Sequence, residues 1–180
     1  MTDADAPVRS ERLELPLLSL DQLDRLAAAD PSPVAAQLNA TLAPAWVAEV
    51  RRLSSLRAEQ ARRRPRDRTW LLRPILLRGV DGAPADAIGY VNFHAAPHAD
   101  GRVEIGYALL PAYRGHGYAL EAVRAMFDWA RQHPGVRRFR ASVAPGNERS
   151  LNLITKLGFE RVGEQWDEED GLEYVYEVDA

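Results

Sequence analysis

The stretch Val103–Ala130, VEIGYALLPAYRGHGYALEAVRAMFDWA, decides the reading of this chain. Val103, Ile105, Tyr107 and Leu109 alternate with Glu104, Gly106 and Ala108, the two-residue period of a β-strand with one apolar face. Pro111 breaks the strand. The turn Arg114-Gly115-His116-Gly117 follows, and from Tyr118 the apolar residues Ala119, Ala122, Val123, Met126, Phe127 and Ala130 recur at helical spacing. A glycine-containing turn therefore sits where a helix N-terminus emerges beside a strand end. The first turn of a helix leaves backbone N–H groups without intrahelical partners, and the helix dipole adds positive potential there. Two glycines let the backbone curl around an anion, and Arg114 adds a fixed charge. The turn matches neither GxxxxGK[ST] nor GxGxxG. On the loop alone, a phosphate seat and a ligand-free connection both remain open.

The remainder of the chain bounds the function classes. At 180 residues it is long enough for one sizeable core. Its 46% hydrophobic and 27% charged content is ordinary for a globular protein, and its net charge of −3 gives no general attraction to nucleic acid or membrane. The absence of cysteine excludes disulfides, thiolate metal sites and cysteine nucleophiles. No apolar run approaches membrane-spanning length, and MTDADAPVRSERLEL lacks the apolar core of a signal peptide, so a cytoplasmic location is the default expectation.

Taken in order, residues 1–10 read as a flexible N-terminus and 11–180 as a single domain. Arg12–Leu17 alternates as a first strand. Ser19 with Gln22 forms a capping box ahead of a helix carrying Leu20, Leu23 and Leu26. A short helix is expected over Val34–Leu42 and a longer one from Pro44, with Trp46, Val47, Val50, Leu53 and Leu56 on its apolar face. The Arg-rich end of that helix, Arg57–Arg68, suits a solvated helix terminus or the docking of an acidic substrate. Strands are expected over Trp70–Arg78, Ala87–His94 and Arg138–Val143. The helix between Val103–Leu110 and Arg138–Val143 makes those two strands parallel neighbours. Asn147 is a good N-cap for Glu148–Leu157, Gly158 ends that helix, and Arg161–Trp166 with Leu172–Val178 forms a final strand pair. The four tryptophans read as core anchors. His94 and His98 are separated by a turn, so a helical metal pair is not expected, and nothing matches an RNA-binding motif. The result is a mixed α/β domain with a central twisted sheet of about six to seven strands flanked by helices.

Two linked signatures lie between Glu104 and Phe159. The first is Arg114-Gly115-His116-Gly117-Tyr118-Ala119, directly after a strand; the second is Asn147, Ser150 and Lys156-Leu157-Gly158-Phe159. Together they resemble the GNAT superfamily of acetyl-CoA-dependent N-acetyltransferases. Glu104-Ile105-Gly106-Tyr107 and Gly117–Ala122 look like the branch containing the ribosomal-protein N-terminal alanine and serine acetyltransferases. The resemblance implies a GNAT-like sheet with a splayed parallel strand pair. It implies that the turn residues Arg114, Gly115, His116, Gly117, Tyr118 and Ala119 hold the coenzyme A pyrophosphate. Leu109 and Leu110 would meet the pantetheine arm from one side, with Asn147 and Ser150 on the other.

The reaction the resemblance implies is attack of a neutral amine on a thioester carbonyl in a ternary complex, an acyltransferase of class EC 2.3.1. It needs a proton acceptor for the amine, a donor for the oxyanion and an acid for the leaving thiolate, with acetyl-CoA as cosubstrate and no metal. Glu104 is the candidate base, directly or through water, and Ser150 a candidate donor to sulfur or a plain helix-start serine. The tyrosine that the family often places in the second helix falls at Ile154 here. Tyr107 and Tyr118 carry hydroxyls too, although the strand face of Tyr107 favours core packing. The acceptor is a primary amine, a protein or peptide N-terminus or a small molecule, with its pocket built by Ser19–Arg64 and the links near His94–Gly101. The competing reading is a non-catalytic acyl-CoA-binding sensor or interaction module. No nucleic acid or membrane partner is expected, and exposed edge strands leave a homodimer open.

Overall fold

The computed structural model describes residues 6–168 and 171–180. Nine strands form one sheet: β1 (Val8–Arg9), β2 (Leu13–Leu15), β3 (Ala40–Thr41), β4 (Arg73–Leu77), β5 (Ala85–Phe93), β6 (Arg102–Leu109), β7 (Arg138–Val143), β8 (Glu160–Asp167) and β9 (Gly171–Asp179). Their order is β1-β2-β4-β5-β6-β7-β9-β8, with β3 off this path beside β5. The helices are α1 (Leu20–Ala27), α2 (Ser32–Leu38), α3 (Pro44–Arg63), α4 (Tyr118–Arg131) and α5 (Glu148–Lys156). The extra strands relative to the expected six or seven are the short ones, which have no periodicity to display. Ala40–Thr41, expected inside a helix, pairs parallel with Ala85–Asp86 after Asn39 ends α2 in the left-handed conformation. Of the N-terminal segment expected to be loose, Val8 and Arg9 pair with Leu15 and Glu14.

Local chemistry accounts for most helix ends. Ser19 Oγ accepts from the Gln22 backbone N–H at 3.2 Å while Gln22 Oε1 accepts from the Ser19 N–H at 2.9 Å, the reciprocal pair of a capping box. Pro44 opens α3, and Asn147 caps α5 by accepting from the Ser150 N–H at 3.2 Å. The residues that gave α4 its spacing, Ala122, Val123, Met126, Phe127 and Ala130, are all buried. The strand expected from Trp70 begins only at Arg73, because Pro65–Trp70 coils as a 3-10 turn.

The sheet carries a core on each face. One, beneath α4 and α5, includes Ile105, Val91, Phe93, Phe127, Phe139 and Ile154; the other, beneath α1–α3, is centred on Trp46, Val50, Leu72 and Leu76. Trp46 also donates from its indole to the Gly89 carbonyl at 2.8 Å, tying α3 to β5. Trp70 and Trp129 pack edge to face in the first core with ring centroids 4.9 Å apart, as expected of core anchors. Trp166 corrects that expectation. It is 77% exposed on β8, the edge strand, where no layer covers the sheet. Arg57 corrects the solvated reading of the Arg-rich helix end: it is buried against β5, and its guanidinium donates to the His94 carbonyl. Among the described residues no helix is long and apolar enough to cross a membrane.

The rings of Phe127 (α4) and Phe139 (β7) stack with centroids 3.8 Å apart. They join the central crossover helix to the strand that follows it. Phe139→Ala is expected to cost about 3–5 kcal/mol of stability, the range for emptying a fully buried aromatic site, read as a lower denaturant midpoint at unchanged slope.

Candidate functional site

β6 and β7 pair for three rungs only. Arg102, Val103 and Glu104 face Arg138, Phe139 and Arg140, and then the ladder stops. Beyond it β6 stays paired to β5 as far as Leu109, and β7 stays paired to β9 as far as Val143. The two strands follow different neighbours and part, leaving facing edges whose N–H and C=O groups lack a strand between them. Such an edge is a ready template for an extended ligand.

The parted strands open into a cleft of about 680 Å³ between β6, the following turn, α4 and α5. At its outer end Gly115 and Gly117 lie at φ +84° and +83°, the left-handed region where a side chain is strained. Gly117 is the N-cap of α4, and no side chain caps that end, so the first N–H groups of the helix are directed into the mouth of the cleft. Arg114, Arg149 and Lys156 line the same mouth. Arg114 folds back, its Nε donating to the Leu109 carbonyl at 3.0 Å. A helix dipole and three cations together suit an anion there. Deeper in, Tyr107 and Ser150 face each other across the cleft. The phenol oxygen is buried and makes no hydrogen bond of ordinary geometry among the described residues. Burial raises the Tyr107 pKa, and the neighbouring Ser150 hydroxyl works against that rise.

On the opposite face of the sheet, at the level where the ladder ends, lies a polar floor. Glu104 accepts from Ser142 Oγ at 2.6 Å and lies 3.5 Å from Arg140 Nε. Arg140 donates onward to Gln165, and Gln165 donates to Glu173 at 2.9 Å. His94 and Asn92 project from β5 onto the same floor beside Gly106. Arg57 and Gln60 of α3 roof it, both donating to the His94 carbonyl.

The model of the acetyltransferase (GNAT) domain matches residues 12–160. The chain belongs to the GNAT acetyltransferase family. Among similar proteins, the N-acetyltransferase YoaA of Bacillus subtilis is 33% identical over 78 residues, 43% of this chain and 44% of that protein. The matched stretch covers 44% of each of the first three curated relatives and 59% of a fourth, so the chain spans less than two thirds of their length. The solved structure of a ribosomal-protein alanine acetyltransferase from Vibrio fischeri superposes with a TM-score of 0.62 at 17% identity, covering 97% of both chains. RimL, a ribosomal alpha-N-protein acetyltransferase solved in complex with coenzyme A, gives 0.64 at 17% identity, covering 96% of this chain and 97% of its own. At these identities the structures establish a shared fold.

Within this GNAT fold, Leu109, Arg114, Gly115, Gly117, Ala119, Asn147 and Ser150 line the cleft. Three residues expected beside them do not. The Leu110 N–H is taken by the Ile88 carbonyl at 2.9 Å, and its side chain packs against the α1–α3 core. His116 and Tyr118 stack on one another behind the turn, with ring centroids 5.7 Å apart. Their backbone remains part of the loop while their rings face away from the cleft. Ile154 is 1% exposed in the core beneath α5, so the hydroxyls that face the cleft are those of Tyr107 and Ser150.

Sequence reasoning missed Arg12. From the start of β2 its Nε donates to Glu121 Oε2 at 2.7 Å, and one terminal nitrogen donates to the His116 carbonyl at 3.1 Å. The guanidinium also lies 4.4 Å from the Tyr118 ring centroid. Glu121 further accepts from the Arg12 backbone N–H and from Ser10 Oγ. Arg12 thus braces the glycine turn from behind. A contact 109 residues apart leaves no local signal in the sequence.

Gly117→Glu is expected to abolish acetyl-CoA binding, because any side chain at φ +83° strains the turn and a carboxylate there adds like charge beside the seat. Arg12→Ala is expected to weaken it several-fold by loosening the turn; both are read by calorimetry. The brace also predicts a pH dependence. Burial alone would raise the Glu121 pKa, but the hydrogen bonds from Ser10 and Arg12 outweigh it and hold the carboxyl below its ordinary range. A depressed carboxyl pKa contributes stability that is present above the unfolded value, about 4.3, and lost as pH falls through the lower folded value. Glu121→Gln is therefore expected to flatten that acid limb in a series of thermal melts.

Proposed function

We propose that this chain is an acetyl-CoA-dependent N-acetyltransferase acting on a primary amine by direct attack in a ternary complex. The observation that carries the reading is the parting of β6 and β7, which opens both faces of one sheet at one level. On one face the cleft suits a long polyanionic thioester. Its pyrophosphate meets the α4 N-terminus and the cations around it, and its pantetheine arm takes the place of a strand along the free edge of β6. On the other face the floor around Glu104 suits a cationic amine. Two substrates can then occupy the gap together. With no cysteine in the chain, a thioester-linked enzyme intermediate is not available.

The amine nitrogen forms its bond to the carbonyl carbon, the carbonyl oxygen takes the negative charge, and collapse breaks the carbon–sulfur bond. The thiolate then needs a donor. Tyr107 supplies it, supported by Ser150. Its raised pKa keeps the phenol protonated through neutral and mildly alkaline pH, with the Ser150 hydroxyl as its neighbour. Glu104 and its surroundings serve the amine. The acceptor class we favour is a free peptide N-terminus, in line with the activities for which the ribosomal-protein acetyltransferases of the same fold are named.

The test is calorimetry with acetyl-CoA, followed by thiol release on a panel of amines that includes peptides with N-terminal alanine and serine. Micromolar binding with turnover on at least one amine is expected. Binding without turnover on any of them would favour an acyl-CoA sensor, and no binding would end both readings. Tyr107→Phe is expected to lower kcat about tenfold or more while leaving the acetyl-CoA affinity near that of the wild type, the pattern of a group that acts on the leaving sulfur.

A further inference from the structure

The floor holds two polar side chains with no structural task, both facing one point. Gly106 lies two residues past the last rung of the β6–β7 ladder, where the strands separate. A Cβ built there would stand 2.9 Å from His94 Nε2 and 3.7 Å from Asn92 Nδ2. Asn92 is 2% exposed, and its Nδ2 has no hydrogen-bond partner among the described residues. A buried amide donor without a partner costs free energy unless something arrives to accept from it. The missing side chain at Gly106 thus lets the end of the imidazole lie close over the strand beside the gap, with an unused amide next to it.

Glu104, by contrast, is already engaged. Its carboxylate accepts from Ser142 at 2.6 Å and faces Arg140 at 3.5 Å. Its remaining charged neighbour is His94, whose Nδ1 lies 3.9 Å from Glu104 Oε1. A carboxylate held this way is well placed to orient an imidazole and poorly placed to leave its partners for a proton.

We propose that His94 is the proton acceptor for the amine, with Glu104 as the positioning residue that holds it through Nδ1. This rests on the acetyltransferase reading above and assigns the proton path within it. The neutral imidazole carries its proton on Nδ1, toward Glu104, and presents the Nε2 lone pair over Gly106. An ammonium entering from α3 gives one proton to Nε2. The freed amine attacks the thioester carbonyl, the imidazolium is stabilised by Glu104, and its proton passes to water. The second proton leaves nitrogen as the carbon–sulfur bond breaks and replaces the one that Tyr107 gives to the thiolate. Ammonium and acetyl-CoA thus yield the amide, the free thiol and one proton. Three charged groups bear on the imidazole. Enclosure of its inner flank and the guanidiniums of Arg57 (α3) and Arg140 (β7) lower its pKa, while Glu104 (β6) works against them; Asp67 lies farther out, accepting from Gln60. The side chain is 49% exposed, so the lowering from enclosure is partial and the open edge admits the acceptor. The net direction leaves His94 neutral at pH 7.

The test uses the full chain, acetyl-CoA and the best amine of the panel. His94→Ala is expected to lower kcat about 100-fold or more, with acetyl-CoA affinity unchanged, and to remove the acidic limb of the kcat–pH profile. Imidazole added to this variant is expected to restore part of the rate. Glu104→Gln is expected to keep the limb and move it to lower pH, because the lost carboxylate no longer favours the imidazolium. Gly106→Ala, whose methyl meets only the movable ring end, is expected to fold and to lower kcat like His94→Ala. A limb that survives in His94→Ala, or that vanishes in Glu104→Gln, overturns the assignment. Should the panel give no turnover while acetyl-CoA binds, the acceptor reading is at fault, and proton NMR of the imidazole decides the dyad. A His94 resonance, identified by its loss in His94→Ala, that titrates below about 6.5 and moves lower still in Glu104→Gln supports it. A resonance that does not move in Glu104→Gln overturns it.

Discussion

The short β6–β7 ladder is the constraint on which the rest depends. Three rungs hold the two halves of the sheet together, and the last two are pinned, one on each face. On the α4 face Phe139, opposite Val103, stacks on Phe127. On the other, Arg140 reaches Glu104, its partner in the rung. Past that point each strand is held by a different neighbour, β6 by β5 and β7 by β9. Sheet twist carries them apart, because no hydrogen bond remains to oppose it. Backbone groups that a continuous sheet would have paired are left facing a gap. Protein interiors rarely tolerate such groups unpaired, so the gap favours an occupant that pairs with them.

Everything else at the site is arranged around that level of the sheet. The α4 N-terminus and its glycine turn stand at one end of the gap because the strand leading into them must turn sharply to cross over the sheet. Arg12 matters for the same reason. Two residues in the left-handed conformation make a flexible loop, and the Arg12–Glu121 pair holds that loop against α4 from the side away from the cleft. The alternation of β6 then divides the chemistry. Tyr107 points toward α5 and the cleft, while Glu104 and Gly106 point toward α3 and the floor. In the reaction proposed, a carbonyl in the gap would meet a phenol from one face and an imidazole from the other, and period-two geometry would separate acid from base without any loop to place them.

The legible part of this architecture was the local part. Strand, turn and helix over Val103–Ala130 follow from alternation, two glycines and a helical stripe within one stretch of chain, and the caps at Ser19 and Asn147 are contacts three residues long. What could not be read depends on distance. Arg12 reaches Glu121 across 109 residues, and Arg57 reaches the His94 carbonyl across 37. Residue type also misled where burial depends on what lies above. Trp166 has the composition of a core anchor, but it stands on an edge strand with no layer over it. Arg57 has the composition of a solvated helix end, but its turn of α3 lies directly on β5.

His94 shows the same limit at the centre of the chemistry. In the sequence it is a histidine at a strand end, four residues before another, with a turn between them. Nothing there distinguishes it from a surface residue. Its significance comes from β5–β6 pairing, which sets the His94 N–H on the Glu104 carbonyl at 2.8 Å and so places the two side chains on one face. It also comes from Gly106, whose missing Cβ is the space the imidazole nitrogen faces. In the sequence Gly106 reads as a low-bulk position that keeps a substrate uncrowded beside Glu104. In the fold the room it leaves is taken by the end of the His94 ring, since even a Cβ there would stand 2.9 Å from Nε2. A carboxylate motif on a strand thus marks the right face of the sheet, and the neighbouring strand decides which atom on that face is free to take a proton.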